Sequence, residues 1–345
     1  MLTGILAGLG AGALWGLVFV VPRMTPGLSA VDLTAGRFIS FGAVSAVAML
    51  LALRTRRLPN LQQALAALGM SVLGFTGYYL LLTLAIRDAG TEAPTLIIGT
   101  IPIWMMLLGK PHGLKWRAVA PGMLLTAAGL AMMVLANSGP AALARGTVAL
   151  EPHLAGHGGA HVGTTYWRGI AFAVAAMLCW TVFGLLNSAW LKRHTNVSAT
   201  EWANWLGVAT GTGAVLMWFA AGSEGKVLIA LDHSAYLATI CIVTGIGSAW
   251  LATILWNVAS QRLSASLCGQ LIVSETVFAL VYSYVWDRQW PGWLQLAACV
   301  LFLLGILATI KAHAWRGENS LASPPLQPCS PPPPPYKRET PESTP

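Results

Sequence analysis

Ten apolar runs constrain this chain more than any other feature. They fall at about 3–22, 29–53, 63–86, 92–109, 118–137, 168–190, 199–221, 234–257, 264–286 and 290–312. Each is close to the ~20 residues an α-helix needs to cross about 30 Å of hydrocarbon. Lipid offers no hydrogen-bond partners, so a spanning backbone must satisfy its own N–H and C=O groups, which a helix does. Composition agrees. Hydrophobic residues make up 56% and charged residues 9%, whereas a soluble domain carries about 25% charged residues. The expected fold class is an all-α membrane protein with ten transmembrane helices. The first run exceeds a signal-peptide core and lacks a basic stretch before it, so it reads as a span.

The formal charge of +8 raises the question of nucleic acid, which needs a basic patch on a solvated face. Here Lys and Arg sit in short clusters between apolar runs, where they report topology instead. With the N-terminus in the cytoplasm, the inner connections hold Arg54, Arg56, Arg57, Lys110, Lys115, Arg117, Lys192, Arg193 and Arg262, and the C-terminal tail adds Lys311, Arg316, Lys337 and Arg338. The outer connections hold only Arg23, Arg87, Arg145, Arg168, Lys226 and Arg288. The excess favours a multi-pass protein of the cell (inner) membrane with both termini cytoplasmic. The expected partners are the lipid bilayer and a small-molecule substrate, not nucleic acid.

The runs divide into two halves. Ser29-Ala30-Val31-Asp32 opens the second run and Ser198-Ala199-Thr200-Glu201 opens the seventh; both read as capping boxes, with an acid three residues after a capping serine. Trp15 and Trp180 each follow a stretch of small residues, and Ala85 to Ile98 can be laid over Ala259 to Ile272 without a gap. Five spans per half is an odd number, so the halves must cross in opposite senses, the inverted-repeat plan of many secondary transporters. The expected organisation is 1–137 and 168–312 as inverted five-helix repeats. Residues 138–167 form an external Gly- and His-rich linker, and 313–345 a disordered, Pro-rich cytoplasmic tail.

On this pattern the chain resembles the drug/metabolite transporter superfamily, in its ten-span EamA-like family. The resemblance covers residues 1 to about 312. It rests on Ala13-Leu14-Trp15-Gly16, Arg37, Tyr78-Tyr79 leading into Ala85, Pro102, Cys179-Trp180 and Ser274-Glu275-Thr276-Val277-Phe278-Ala279. Departures are Gly109-Lys110 where the family commonly has Gly-Glu, Asp287 where Glu is usual, and Thr276 where Pro is frequent. The resemblance implies export of metabolites, drugs or amino acids.

Few ionisable residues fall within the runs. Glu275 lies near the middle of the ninth, where a carboxylate costs about 2.5–3.5 kcal/mol on insertion scales. It reads as a proton-coupling group, a counter-charge for a substrate ammonium, or a protonated acid bonded to a neighbouring helix. Arg37 lies two turns into the second run and either holds a substrate carboxylate, snorkels outward or pairs with Asp32. Trp15, Tyr78, Tyr79, Trp180, Trp256, Asn257 and Gln270 complete the candidate substrate site, with Trp104 and Trp250 as further aromatic candidates. Trp286, Trp290 and Trp293 read as an interfacial belt. Gly8, Gly10, Gly12 and Gly16 form a small-residue stripe suited to close helix packing, and Pro102 and Pro121 read as kinks.

No metal site or cofactor is expected. Cys179, Cys241, Cys268 and Cys299 lie in apolar runs as packing residues and Cys329 lies in the tail. Three histidines spaced by four (His153, His157, His161) sit among glycines that oppose a helix. There is no P-loop, HExxH or GxSxG motif, so the chain reads as no enzyme and not itself ATP-driven. The expected function is a secondary-active transporter exporting a small metabolite, amino-acid-like or amphipathic, by alternating access, with protons as the candidate coupling ion. The alternatives are an uptake permease of the same architecture and a non-transporting scaffold or sensor acting through the Pro-rich tail.

Overall fold

A computed structural model describes residues 1–25, 27–52, 58–89, 92–110, 114–137, 159–231, 233–288 and 290–321. Every regular element among them is helical. In chain order these are α1 (Leu2–Gly16, extended by a 3₁₀ turn Leu17–Phe19), α2 (Val21–Met24), α3 (Ala30–Ala52), α4 (Leu61–Ser71) and α5 (Gly77–Ala89). Next come α6 (Glu92–Gly99), α7 (Ile101–Leu108), α8 (Trp116–Asn137), α9 (Gly159–Arg193), α10 (Ala199–Ala221) and α11 (Gly225–Ala230). The last are α12 (Ser234–Thr244), α13 (Ala252–Arg262), α14 (Ala265–Asp287) and α15 (Trp293–Leu321). The Pro-rich tail beyond 321 and most of the linker, including His153 and His157, lie outside the described residues.

Eight helical stretches are long and apolar enough to cross a membrane. The predicted runs at 92–109 and 199–221 are the two that depart. The first divides at Thr100, because Pro102 has no N–H to bond back along the helix. The Thr100 hydroxyl donates to the Ile97 carbonyl at 2.6 Å and satisfies an acceptor at the break. The second forms the unbroken helix α10, but Glu201, Asn204 and three threonines lower its hydropathy. Trp202, Ala203, Leu206, Thr210 and Ala214 on it are buried, so it meets protein more than lipid. The sixth run begins earlier than its apolar stretch, at Gly159.

The third and eighth runs each carry an interruption that hydropathy does not foresee. A π segment, Val72–Thr76, joins α4 to α5, and another, Gly245–Leu251, joins α12 to α13. Such segments close wider turns and re-aim the side chains that follow. Pro121, by contrast, sits inside a continuous α8.

Capping follows the sequence at one of the two boxes. Ser198 and Glu201 cap α10 reciprocally. At α3 only half the box forms: the Asp32 N–H donates to Ser29 Oγ at 3.1 Å. The Asp32 carboxylate accepts from the Ser29 hydroxyl at 2.5 Å and from the Ser223 N–H and hydroxyl at 2.9 and 2.7 Å. It therefore ties the start of α3 to the end of α10.

Helix pairing sets the architecture. α3 packs on α10, α8 on α15, α5 on α9, and α1 on both α13 and α14. Small residues drive these approaches in lipid, where apolar burial alone gives little preference for protein over solvent. Gly42 and Gly211 meet backbone to backbone across α3 and α10. On α1, a Cβ at Gly12 would run into Ser274, and one at Gly16 would press on the backbone of Glu275 and Ala279. This part of the glycine stripe thus brings α14 against α1 at the level of Glu275.

Candidate functional site

Three tryptophans from three helices converge beside that contact. Trp15 on α1, Trp180 on α9 and Trp256 on α13 lie with ring centroids 5.4, 5.9 and 6.1 Å apart, in tilted and edge-on arrangements that suit aromatic quadrupoles. Trp256 is 1% exposed and its indole N–H has no partner among the described residues. Trp15 and Trp180 are half-buried. An aromatic wall continues from Trp180 through Phe183, Phe75 and Phe38 to Tyr79, with successive centroids 5.5–6.2 Å apart. Gly74, in the first π segment, leaves room for the Phe183 ring.

At the end of this wall stand the charged groups. The Glu275 carboxylate and the Arg37 guanidinium lie within each other's electrostatic reach. Tyr79 also lies within electrostatic reach of Arg37, and Tyr78 within that of Glu275. Glu275 is half-buried and makes no hydrogen bond or ion pair among the described residues. Arg37 is 6% exposed, and its Nε is buried with no hydrogen-bond partner. The guanidinium carbon lies 5.9 Å from the centroid of the Phe38 ring. Asp32, the acid that sequence offers it, is occupied by Ser29 and Ser223. Three helices supply the charged and phenolic groups, α3, α5 and α14, with α1, α9 and α13 adding tryptophans.

The two candidate amides are placed differently. Asn257 is fully buried; it donates to the Ala199 carbonyl at 3.3 Å and accepts from Asn187 at 3.1 Å, while Asn187 accepts from the Trp202 indole at 2.7 Å. Gln270 is fully buried and donates to Thr126 Oγ1 at 2.9 Å. Both amides therefore hold helices together. Trp250 likewise donates to Asn204 at 2.8 Å, and Trp104 is exposed. Trp290 is 95% exposed, with Trp286 and Trp293 also exposed, as an interfacial belt requires. Sequence reasoning missed Phe75 and Phe183. Their spacing from Tyr78–Tyr79 and Trp180, three or four residues, places each on the same helix face as its candidate neighbour and is the signal that could have found them.

A second polar cluster lies at the junction of α5 and α9. Asp88 accepts from Arg168 at 2.7 Å and from Arg87 at 3.1 Å. Among the described residues no group of His, Cys, Asp and Glu is arranged to hold a metal ion.

Comparison with known proteins matches this architecture. A curated relative, the inner membrane protein YtfF of Escherichia coli (strain K12), is 27% identical over 325 residues, covering 90% of this chain and 96% of its own length. A crystal structure of another protein shares the fold, with a TM-score of 0.66 at 19% identity over 89% of this chain and 96% of that one. The model of the EamA-like transporter family matches residues 2–135 and 167–311. The chain belongs to the EamA-like transporter family.

Proposed function

We propose that this chain is a secondary-active transporter that exports a small metabolite, amino-acid-like or amphipathic, by alternating access between two inverted five-helix halves. The observation that carries the reading is the unpaired Arg37 and Glu275, brought together with Tyr78 and Tyr79 at the end of an aromatic wall that reaches Trp15, Trp180 and Trp256. Ionisable groups inside a bilayer are expensive and are kept where a pathway needs them. Trp15, Trp180, Trp256, Tyr78 and Tyr79 offer ring faces to the cargo, while Asn257 and Gln270 act behind them by fixing the helices.

Several features support ten crossings in two halves. The family matches fall in two stretches that coincide with 1–137 and 168–312. The most extensive helix pairings are kept when the halves are exchanged. α3 on α10 and α8 on α15 pair counterparts, α5 on α9 is matched by α13 on α1, and α1 on α14 is matched by α9 on α6 and α7. The offset that lays Ala85 over Ala259 also carries Val72–Thr76 into the second π segment. In this reading the broken α6–α7 pair and the polar α10 are crossings shielded by protein. The positive-inside bias and the inner membrane location of YtfF support an inner membrane protein with both termini cytoplasmic and the connection between the halves outside.

Glu275 is the coupling group, loaded with a proton on one side and discharged on the other. In proteoliposomes, Glu275→Gln should insert normally and abolish proton-coupled flux. Unchanged flux with unchanged pH dependence contradicts the assignment.

A further inference from the structure

We propose that Arg37 is the specificity-determining residue of this site and receives a carboxylate carried by the cargo, whose apolar or aromatic body lies along the tryptophan and phenylalanine wall. The proposal rests on the transporter reading and adds the chemical class of the substrate.

An arginine in a membrane helix has two ordinary structural fates, and the structure closes both. Snorkelling needs the guanidinium at the interface, yet Arg37 is 6% exposed. Ion pairing needs a free acid within reach. Asp32 is held by Ser29 and Ser223, and Glu275 is near enough to be felt but makes no ion pair among the described residues. The guanidinium is therefore left without an ion pair and its Nε buried without a hydrogen bond, a state that costs free energy unless something else fills it.

The fork geometry states what fills it. Guanidinium matches a planar carboxylate through two parallel N–H···O bonds. A phosphate dianion would leave excess negative charge beside Glu275, whereas a single carboxylate balances Arg37. The surroundings then size the rest of the ligand. Phe38 and Tyr79 border the guanidinium, and from them the rings run through Phe75 and Phe183 to the tryptophan cluster. Such a wall offers edge and face contacts to an apolar or aromatic group. Glu275 decides a further point: an ammonium on the cargo would face it, and a cargo without one would leave it for a proton.

Three probes sharing a benzyl-type body separate these chemistries: phenylacetate, phenylalanine and phenethylamine. Each is added to the purified full-length chain, and binding is read from ligand-dependent thermal stabilisation. Phenylacetate or phenylalanine should bind, and Arg37→Gln should weaken that binding by about 10-fold or more, the scale of a lost charge-assisted hydrogen bond. Binding of both means the carboxylate suffices; binding of phenylalanine alone means Glu275 also requires the ammonium. Binding by phenethylamine alone, equal binding to Arg37→Gln, or no binding by either carboxylate overturns the proposal. If Arg37→Gln fails to fold, Arg37→Lys keeps the charge without the fork; weaker carboxylate binding supports the assignment and undiminished binding overturns it. Flux of the same probes in proteoliposomes separates the two readings. Arg37-dependent binding without flux removes transport and leaves the site; amine flux indifferent to Arg37 does the reverse.

Discussion

Two sets of buried polar side chains stand in contrast. In the second half, Asn187, Asn257 and Trp202 exchange hydrogen bonds of 2.7–3.3 Å with one another and with the Ala199 carbonyl. At the far end of the aromatic wall, the Arg37 guanidinium and the Glu275 carboxyl group make no hydrogen bonds among the described residues. A satisfied buried network fixes one arrangement of helices. An unsatisfied buried charge cannot be explained that way, because it lowers stability where it stands. The difference separates residues that hold this fold from residues the fold holds in readiness.

The contrast is open to direct attack. The largest effect expected on stability is at Asn187, whose loss leaves both the Trp202 indole and the Asn257 amide short of a partner. Asn187→Ala should cost about 2–4 kcal/mol of unfolding free energy, at about 1–3 kcal/mol per orphaned group, measured by thermal or denaturant unfolding in detergent. Arg37→Met should move the other way: removing an unpartnered charge should leave stability unchanged or raise it by about 1 kcal/mol or more, while carboxylate binding is lost. A destabilisation matching that of Asn187→Ala would place Arg37 in the framework instead. Glu275→Gln keeps the shape and should change stability by less than about 1 kcal/mol, with its effect confined to flux. The smallest effect is expected at Asp88→Asn, because both arginine partners are well exposed and their ion pairs are screened by water. A transition midpoint indistinguishable from the parent, or slightly lower, is the predicted reading.

The apolar runs made much of this architecture legible. Eight of them reappear as helices of spanning length and hydropathy, and the capping box at Ser198 forms as written. The π segments were not legible, because a locally widened turn arises from tertiary packing and leaves the apolar run unbroken. Gly74, Gly77, Gly245 and Gly247 were their faint trace. The fate of polar residues was equally hidden. Asn257 and Gln270 look like Glu275 in a sequence, as polar groups in apolar runs, but their partners lie on other helices, 70 and 144 residues away. Arg37 was ambiguous for the same reason: only the placement of Asp32 against Ser223 removes its nearest acid.

The central claim is that the space between Tyr79, Arg37 and Glu275 is an aqueous substrate cavity rather than packed interior. Its most direct test is thiol accessibility. Tyr79→Cys and, as a control at a fully buried packing position, Leu206→Cys are placed singly in a chain whose native cysteines are changed to alanine. Each is exposed to a charged, water-soluble thiol reagent in sealed vesicles. The account predicts modification at position 79 and none at 206 on the same timescale. Equal resistance at both positions would contradict it.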